Sequence, residues 1–282
     1  MAGYHSAVTL RTTEYLLLGV IGALAAGALV YLFASYLMMS RHVDRRSGIR
    51  HARAMLREFG YVMVTQPLVP LYYLVGRRMG SAPARVSSPP VPVIFVHGYF
   101  QNRADFWWLA RQLRKAELGP LFGFNYPWTE SIHHNVPRLA KFVESVCAET
   151  GAGQVTLVAH SLGGLVCLEY SHTPDGERRV AHCVTIGTPH GGVKWRGPIL
   201  GKVGGELRED GQFLNERRDR PVVAPTLSVY STHDNIVHPP TTSEIAPRGG
   251  HDVAIDGHGH LSLLYSDEVA RVLIDFIRTH SQ

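Results

Sequence analysis

The sequence predicts an α/β fold: a doubly wound, mostly parallel sheet with helices on both faces, preceded by an N-terminal transmembrane helix. Three observations predict it. From residue 93 onward, short β-branched and apolar runs alternate with longer stretches of helix formers, the pattern of a parallel sheet covered on both sides. One of these runs ends in Ala159-His160-Ser161-Leu162-Gly163, the pattern of a sharp strand-to-helix turn. Residues 15–39 form a stretch of 25 without a charge, longer than the roughly 20 residues that cross a bilayer as a helix.

Residues 1–80 are expected to be a membrane-anchor region. The run 15–39 is apolar on every face, which argues against a core helix of a soluble domain. It continues well past the small residues Ala25, Ala26, Gly27 and Ala28, which favours an uncleaved anchor over a signal peptide. Six arginines follow, Arg41, Arg45, Arg46, Arg50, Arg53 and Arg57. A second apolar segment, about 59–76, is interrupted by Gln66, Pro67 and Pro70. It reads as a kinked second membrane helix, a re-entrant segment or an interfacial piece. With one span the positive-inside rule puts the following domain in the cytoplasm; with two, the domain faces the periplasm of a bacterial inner membrane. The hairpin is slightly favoured, because its basic loop then lies between two apolar arms.

The charge distribution fits this division. Residues 1–90 carry ten Arg against three acidic residues, whereas the other 192 carry 18 basic and 20 acidic ones. The overall net charge of +5 therefore belongs to the anchor, where an anionic membrane surface explains it and nucleic acid does not. Residues 81–92, rich in Pro and Ser, are expected to form a linker to the α/β domain, 93–282. Cys147, Cys167 and Cys183 sit among apolar neighbours in odd number and read as buried free thiols.

Within 93–282, strands are expected near 93–97, 121–126, 154–159, 181–187, 225–230 and 252–256. Helices are expected near 103–116, 135–149, 161–172 and 266–279, with Thr173-Pro174-Asp175-Gly176 as a turn. The strand ends carry the chemistry. A serine hydroxyl is a poor nucleophile and must be presented on a tight turn within reach of a base. Ala159 and Gly163 flank Ser161 with the small residues that the crowded turn demands. Enzymes built this way place the acid and then the histidine after the serine in chain order. Asp234 follows the strand near 225–230, and His260 follows the strand near 252–256. His258 is the rival base, and Asp252 and Asp256 are rival acids. A metal would need a third ligand at a recognisable spacing, and none stands there. His160 reads as a supporting residue. The run 93–96 ends in His97-Gly98-Tyr99, so the backbone N–H groups of Tyr99 and Leu162 are the candidate oxyanion donors.

These segments together resemble the small bacterial lipases and esterases of the α/β-hydrolase fold. The resemblance rests on residues 96–99, 159–164, 185–192, 230–237 and 257–265 and covers about two thirds of the chain. It implies an acid role for Asp234, a base role for His260, and fatty-acid carboxylic esters as substrates. Alanine in place of the first glycine of the serine turn also occurs among these lipases. Residues 188–192 imply a floor of the site or, equally, a turn after a buried strand.

For the acyl pocket, Trp195, Leu200, Val203, Leu207, Phe213 and Leu214 offer one wall, and Phe100, Trp107 and Trp108 the other. Phe100 and Trp195 are the leading substrate contacts; core packing is the alternative for any aromatic in a helix. The expected reaction is ester hydrolysis through an acyl-enzyme without a cofactor. An acyltransferase or thioesterase with the same triad is the alternative. A non-catalytic, membrane-tethered interaction module is disfavoured, because every triad position is filled.

Overall fold

A computed structural model describes residues 2–41, 48–66, 76–80, 91–195, 197 and 199–280. Its sheet has seven strands: β1 (Arg78–Gly80), β2 (Val93–Val96), β3 (Leu121–Phe124), β4 (Val155–His160), β5 (Val180–Ile186), β6 (Thr226–Ser231) and β7 (His251–Ile255). They run in the order β1-β3-β2-β4-β5-β6-β7. Only the β1–β3 pair is antiparallel. The helices are α1 (Ala2–Met39), α2 (Gly48–Thr65), α3 (Trp107–Lys115), α4 (Ile132–Thr150), α5 (Leu162–Ser171), α6 (Pro174–Arg179), α7 (Gln212–Asn215) and α8 (Asp267–His280).

The central strands are buried on both faces, and their alternation sorts side chains into two cores. Ile94, Val96, Leu157 and Ala159 face one core with Leu139 and Val143 of α4 and Leu165 of α5. Val93, Phe95 and Val158 face the other with Leu109 and Leu113 of α3 and Leu273 of α8. The strand order reverses at β2, with β3 on one side and β4 on the other. Such a switch point opens a crevice beyond the carboxyl ends of the strands, where the chain places Gly98 and Ser161.

The turn expected at 173–176 is instead the start of α6. Thr173 caps it by accepting the Gly176 N–H, and Pro174 stands in its first turn; a preset proline φ suits that position. Cys147, Cys167 and Cys183 are buried free thiols.

Two elements ahead of the expected domain start at 93 belong to the same packed unit. Strand β1 adds an edge to the sheet through β3. Helix α2 turns Ala54, Glu58, Val62 and Thr65 inward, one face at helical spacing, and Val62 joins the second core. Residues 59–65 of the expected second apolar segment lie in this helix; 67–75, and 81–90 of the linker, fall outside the described residues. Within α1, Glu14–Met39 is long and apolar enough to cross a membrane. Leu16, Leu18, Val20, Ile21, Val30 and Phe33 are exposed, whereas Leu32, Ser35, Tyr36 and Met39 are buried.

Candidate active site

Ser161 sits between β4 and α5 with φ +52° and ψ −125°. Outside glycine, positive φ of this kind costs on the order of 1–3 kcal/mol and persists only where surroundings enforce it. The surroundings here are tight. The Ser161 N–H donates to the Ile186 carbonyl at 2.9 Å, and the Thr188 hydroxyl donates to the Ser161 carbonyl at 3.0 Å. A Cβ on Gly163 would lie 2.4 Å from the Val96 oxygen and 2.5 Å from the His97 oxygen; one on Gly164 would overlap the Thr188 side chain. Gly163 thus lets α5 press against the end of β2, and Gly164 leaves room for Thr188 beyond β5. Thr188 makes its bond from the start of 188–192, which form a turn after β5 closed by the His190 N–H to the Thr188 carbonyl and the Gly192 N–H to the Pro189 carbonyl.

The loop after β2 lies against the serine. A Cβ on Gly98 would stand 2.8 Å from Ser161 Cβ. Gln101, which sequence reasoning missed, holds this loop: its Oε1 accepts the Gly98 N–H at 2.8 Å and lies 2.7 Å from His160 Nδ1. The next turn is closed by Asn102 and Asp105 capping each other's backbone. Burial pushes the Asp105 carboxyl up to about 6, against the lowering effect of the Asn102 N–H. His97 stacks on Tyr126 with ring centroids 4.4 Å apart. Burial brings its pKa down to about 4, so the ring is neutral. Its Nε2 accepts the Tyr126 N–H at 3.3 Å. Leu162 opens α5, and a first-turn amide has no partner within its own helix.

Asp234 and His260 meet beyond the ends of β6 and β7. His260 Nδ1 is 2.8 Å from Asp234 Oδ2, and both residues are buried. The other carboxylate oxygen accepts the Ile236 and Val237 N–H groups, each at 2.8 Å. Burial alone would lower the His260 pKa; the Asp234 charge and hydrogen bond, with Glu58 adding, outweigh it and leave the pKa raised. Strand β5 carries the contact across to the serine. The residue after Ile186 is Gly187, at φ +56°, and a Cβ there would lie 3.3 Å from His260 Nδ1 and 3.4 Å from Asp234 Oδ2. The His160 ring, next to Ser161, is centred 4.6 Å from that of His260, and its Nε2 lies 3.1 Å from the His260 carbonyl.

The rival residues are engaged elsewhere. His258 Nδ1 faces the Asp256 carbonyl at 3.0 Å, with Arg57 beside its Nε2. Asp252 accepts the Ile245 and Ala246 N–H groups. Asp256 pairs with Arg50 at 3.0 Å and with the Thr232 hydroxyl. Among the described residues, no group of three or more His, Cys, Asp or Glu is placed to hold a metal ion.

The expected aromatic wall divides. Phe100, half exposed at φ +56°, packs on Trp128 at 4.2 Å and on Tyr99 at 4.9 Å. The Tyr99 hydroxyl donates to the Leu200 carbonyl at 2.9 Å. Trp195 packs on the same core as Tyr99 and Trp128, and Arg208 fixes its carbonyl. Trp107 instead stands by Tyr265, and Trp108 joins the opposite core: the helical turn that continues from the loop carries both to the far face of the sheet.

A family model described as the alpha/beta hydrolase fold matches residues 91–224, a span that includes Ser161 and ends before Asp234. Two triacylglycerol lipases align in sequence. That of Burkholderia plantarii is 32% identical over 143 residues, 45% of this chain and 39% of its own. That of Pseudarthrobacter phenanthrenivorans is 34% identical over 114 residues, 37% of this chain and 34% of its own. The chain has the α/β-hydrolase fold and is related to bacterial lipases and esterases. The matched stretches span less than two fifths of these curated relatives. Among solved structures, Bacillus licheniformis lipase BlEst2 in its mature form superposes with a TM-score of 0.60 at 16% identity, covering 73% of this chain and 99% of that one. Aspergillus fumigatus lipase B gives 0.59 at 18%, covering 69% and 55%. Those likenesses concern the hydrolase fold itself.

Proposed function

We propose that the chain is a serine carboxylic-ester hydrolase of the lipase/esterase type, tethered to a membrane through α1. The observation that carries the reading is the buried Asp234–His260 pair, joined through β5 to a serine on a strained turn. In this reading His260 takes the Ser161 proton as the hydroxyl attacks an ester carbonyl. Asp234 holds the tautomer with Nδ1–H and stabilises the imidazolium. The N–H groups of Tyr99 and Leu162 receive the oxyanion, which is worth about 3–4 kcal/mol per donor. His260 then returns the proton to the leaving alcohol, and water cleaves the acyl-enzyme by the same route in reverse. No cofactor enters. Phe100 and Trp195 line the acyl side.

The aligned triacylglycerol lipases and the exposed apolar length of α1 support long-chain acyl esters held at the bilayer as substrates. The packing of α2 on the domain supports one membrane helix in α1 rather than a hairpin, with the C-terminal end of α1 docked on the domain through Ser35 and Asn235, so that 1–80 is an anchor region that also braces the catalytic domain. Hydrolysis of p-nitrophenyl esters from acetate to palmitate, by wild type and Ser161→Ala, tests the reading. Turnover that falls at least 10³-fold in the variant supports it; equal rates, or none in wild type, contradict it.

A further inference from the structure

Glu58 is a carboxylate with no solvent exposure, set in an N-terminal helix and directed into the loop that carries His260. Its Oε1 accepts the Leu261 N–H and its Oε2 the Ser262 N–H, each at 2.8 Å. On the other side of the histidine, a Cβ on Gly259 would lie 2.6 Å from Glu58 Oε2, so only glycine lets the backbone settle over the carboxylate. Leaving a carboxyl group dry is costly unless its charge is met by hydrogen bonds. Burial pushes the Glu58 carboxyl up, against the lowering effect of the Leu261 and Ser262 N–H groups and of His260; both oxygens are acceptors here, which is the bonding of the ionised form. The rest of the His260 backbone is held as well. Its N–H donates to Asn235 Oδ1 at 2.9 Å, and Asn235 Nδ2 donates to Ser35 Oγ of α1 at 2.8 Å.

We propose that Glu58 is a positioning residue for His260: its carboxylate clamps residues 259–262 in the one arrangement that keeps the imidazole on Asp234, and so makes the N-terminal helices part of the active site. This rests on the triad reading above. Nothing in the alternation of strands and helices beyond residue 93 announces it, because the group comes from about 200 positions upstream. Among the described residues, the charged and titratable groups around the His260 ring are Asp234 from the loop after β6, Glu58 from α2 and His160 from the end of β4, with Tyr31 and Tyr36 of α1 beside the two carboxylates. Glu58 is thus the second of two negative charges that favour the imidazolium.

The test uses the full chain in detergent micelles, comparing wild type, Glu58→Gln and Ser161→Ala with p-nitrophenyl butyrate. Glutamine keeps the size and one acceptor but turns an NH₂ toward a backbone donor. The expected result is a fall in kcat of about tenfold to a hundredfold, the effect of misplacing a reacting group by about an ångström, with KM changed less than about twofold. The His260 imidazole, followed by NMR of ¹³C-labelled histidine, should titrate about half a unit to one unit lower once the nearby charge is gone. A wild-type kcat together with a wild-type His260 midpoint overturns the proposal. So does a loss of kcat that only tracks a loss of folded protein while the midpoint stays put. If Glu58→Gln does not fold, Glu58→Asp is read instead: the charge remains but the arm is shorter, so kcat should fall with the midpoint unmoved, and a wild-type kcat overturns the proposal. A wild type that cleaves no ester would sink the triad reading, while the NMR midpoint would still decide the role of Glu58.

Discussion

The two halves of the candidate site are held in place in different ways. The serine half is local. Ser161 is fixed by its own strand and helix, by the Ile186 carbonyl of the neighbouring strand and by Thr188 just beyond it, and glycines at 98, 163 and 164 permit the close approach. The aspartate–histidine half is assembled from a distance. Asp234 and His260 come from two loops, and the backbone around the histidine is tied by Asn235, by Ser35 of α1 and by Glu58 of α2. The serine turn is therefore a self-contained motif, whereas the histidine opposite it relies on whatever packs behind it.

The comparison breaks first at Asp234. Replacing it with Asn keeps the size but favours the wrong tautomer of His260, and kcat/KM for ester hydrolysis is expected to drop about 10⁴-fold with the fold intact by circular dichroism. A smaller expected effect is at Asn235→Ala, which cuts the link from Ser35 to the His260 N–H. It should lower kcat roughly tenfold to a hundredfold by loosening the histidine, and an unchanged kcat would mean that the distant half is not braced this way.

The serine half should answer in stability before rate. Gly163→Ala forces a methyl against the carbonyl oxygens of Val96, at the end of β2, and of His97, just past it, an overpacking cost of about 1–3 kcal/mol, read as a lower thermal midpoint. Thr188→Ala removes one bond to the Ser161 carbonyl and should cost about 1 kcal/mol, with kcat within about threefold of wild type.

The smallest effect is the position of the acidic limb. His260 must be neutral to act as base, and its pKa is raised. Activity should therefore rise with pH through a midpoint above the ordinary histidine value of about 6.5. The pair's contribution to stability has the opposite dependence: full below the unfolded pKa and lost as pH rises through the folded one.

Legibility in the sequence follows the same division. Strands β2, β4, β5 and β6 fall within one or two residues of the apolar runs that foretell them, because strands buried on both faces need continuous apolar sequence. Strand β1 is Arg78, Met79 and Gly80, an edge piece with no such run to see. The start of α6 was signalled by Thr173 and Pro174, but Gly176 made it read as a turn. That glycine is needed because a Cβ would strike the Tyr170 carbonyl. In the site, the serine turn and the residues at the ends of β6 and β7 are visible because each sits at a strand end. Glu58 is hidden among arginines, where an acidic residue reads as a surface charge. Its signal was its place at helical spacing with Ala54, Val62 and Thr65, which only the packed helix makes plain.

The most direct measurement is covalent labelling of the full chain with a fluorophosphonate, followed by peptide mass spectrometry and the labelling rate. A single adduct on Ser161, formed far more slowly in His260→Ala and Asp234→Asn, is the predicted result. An adduct on another residue, or equal labelling rates in all three proteins, would contradict a nucleophile activated by the Asp234–His260 pair.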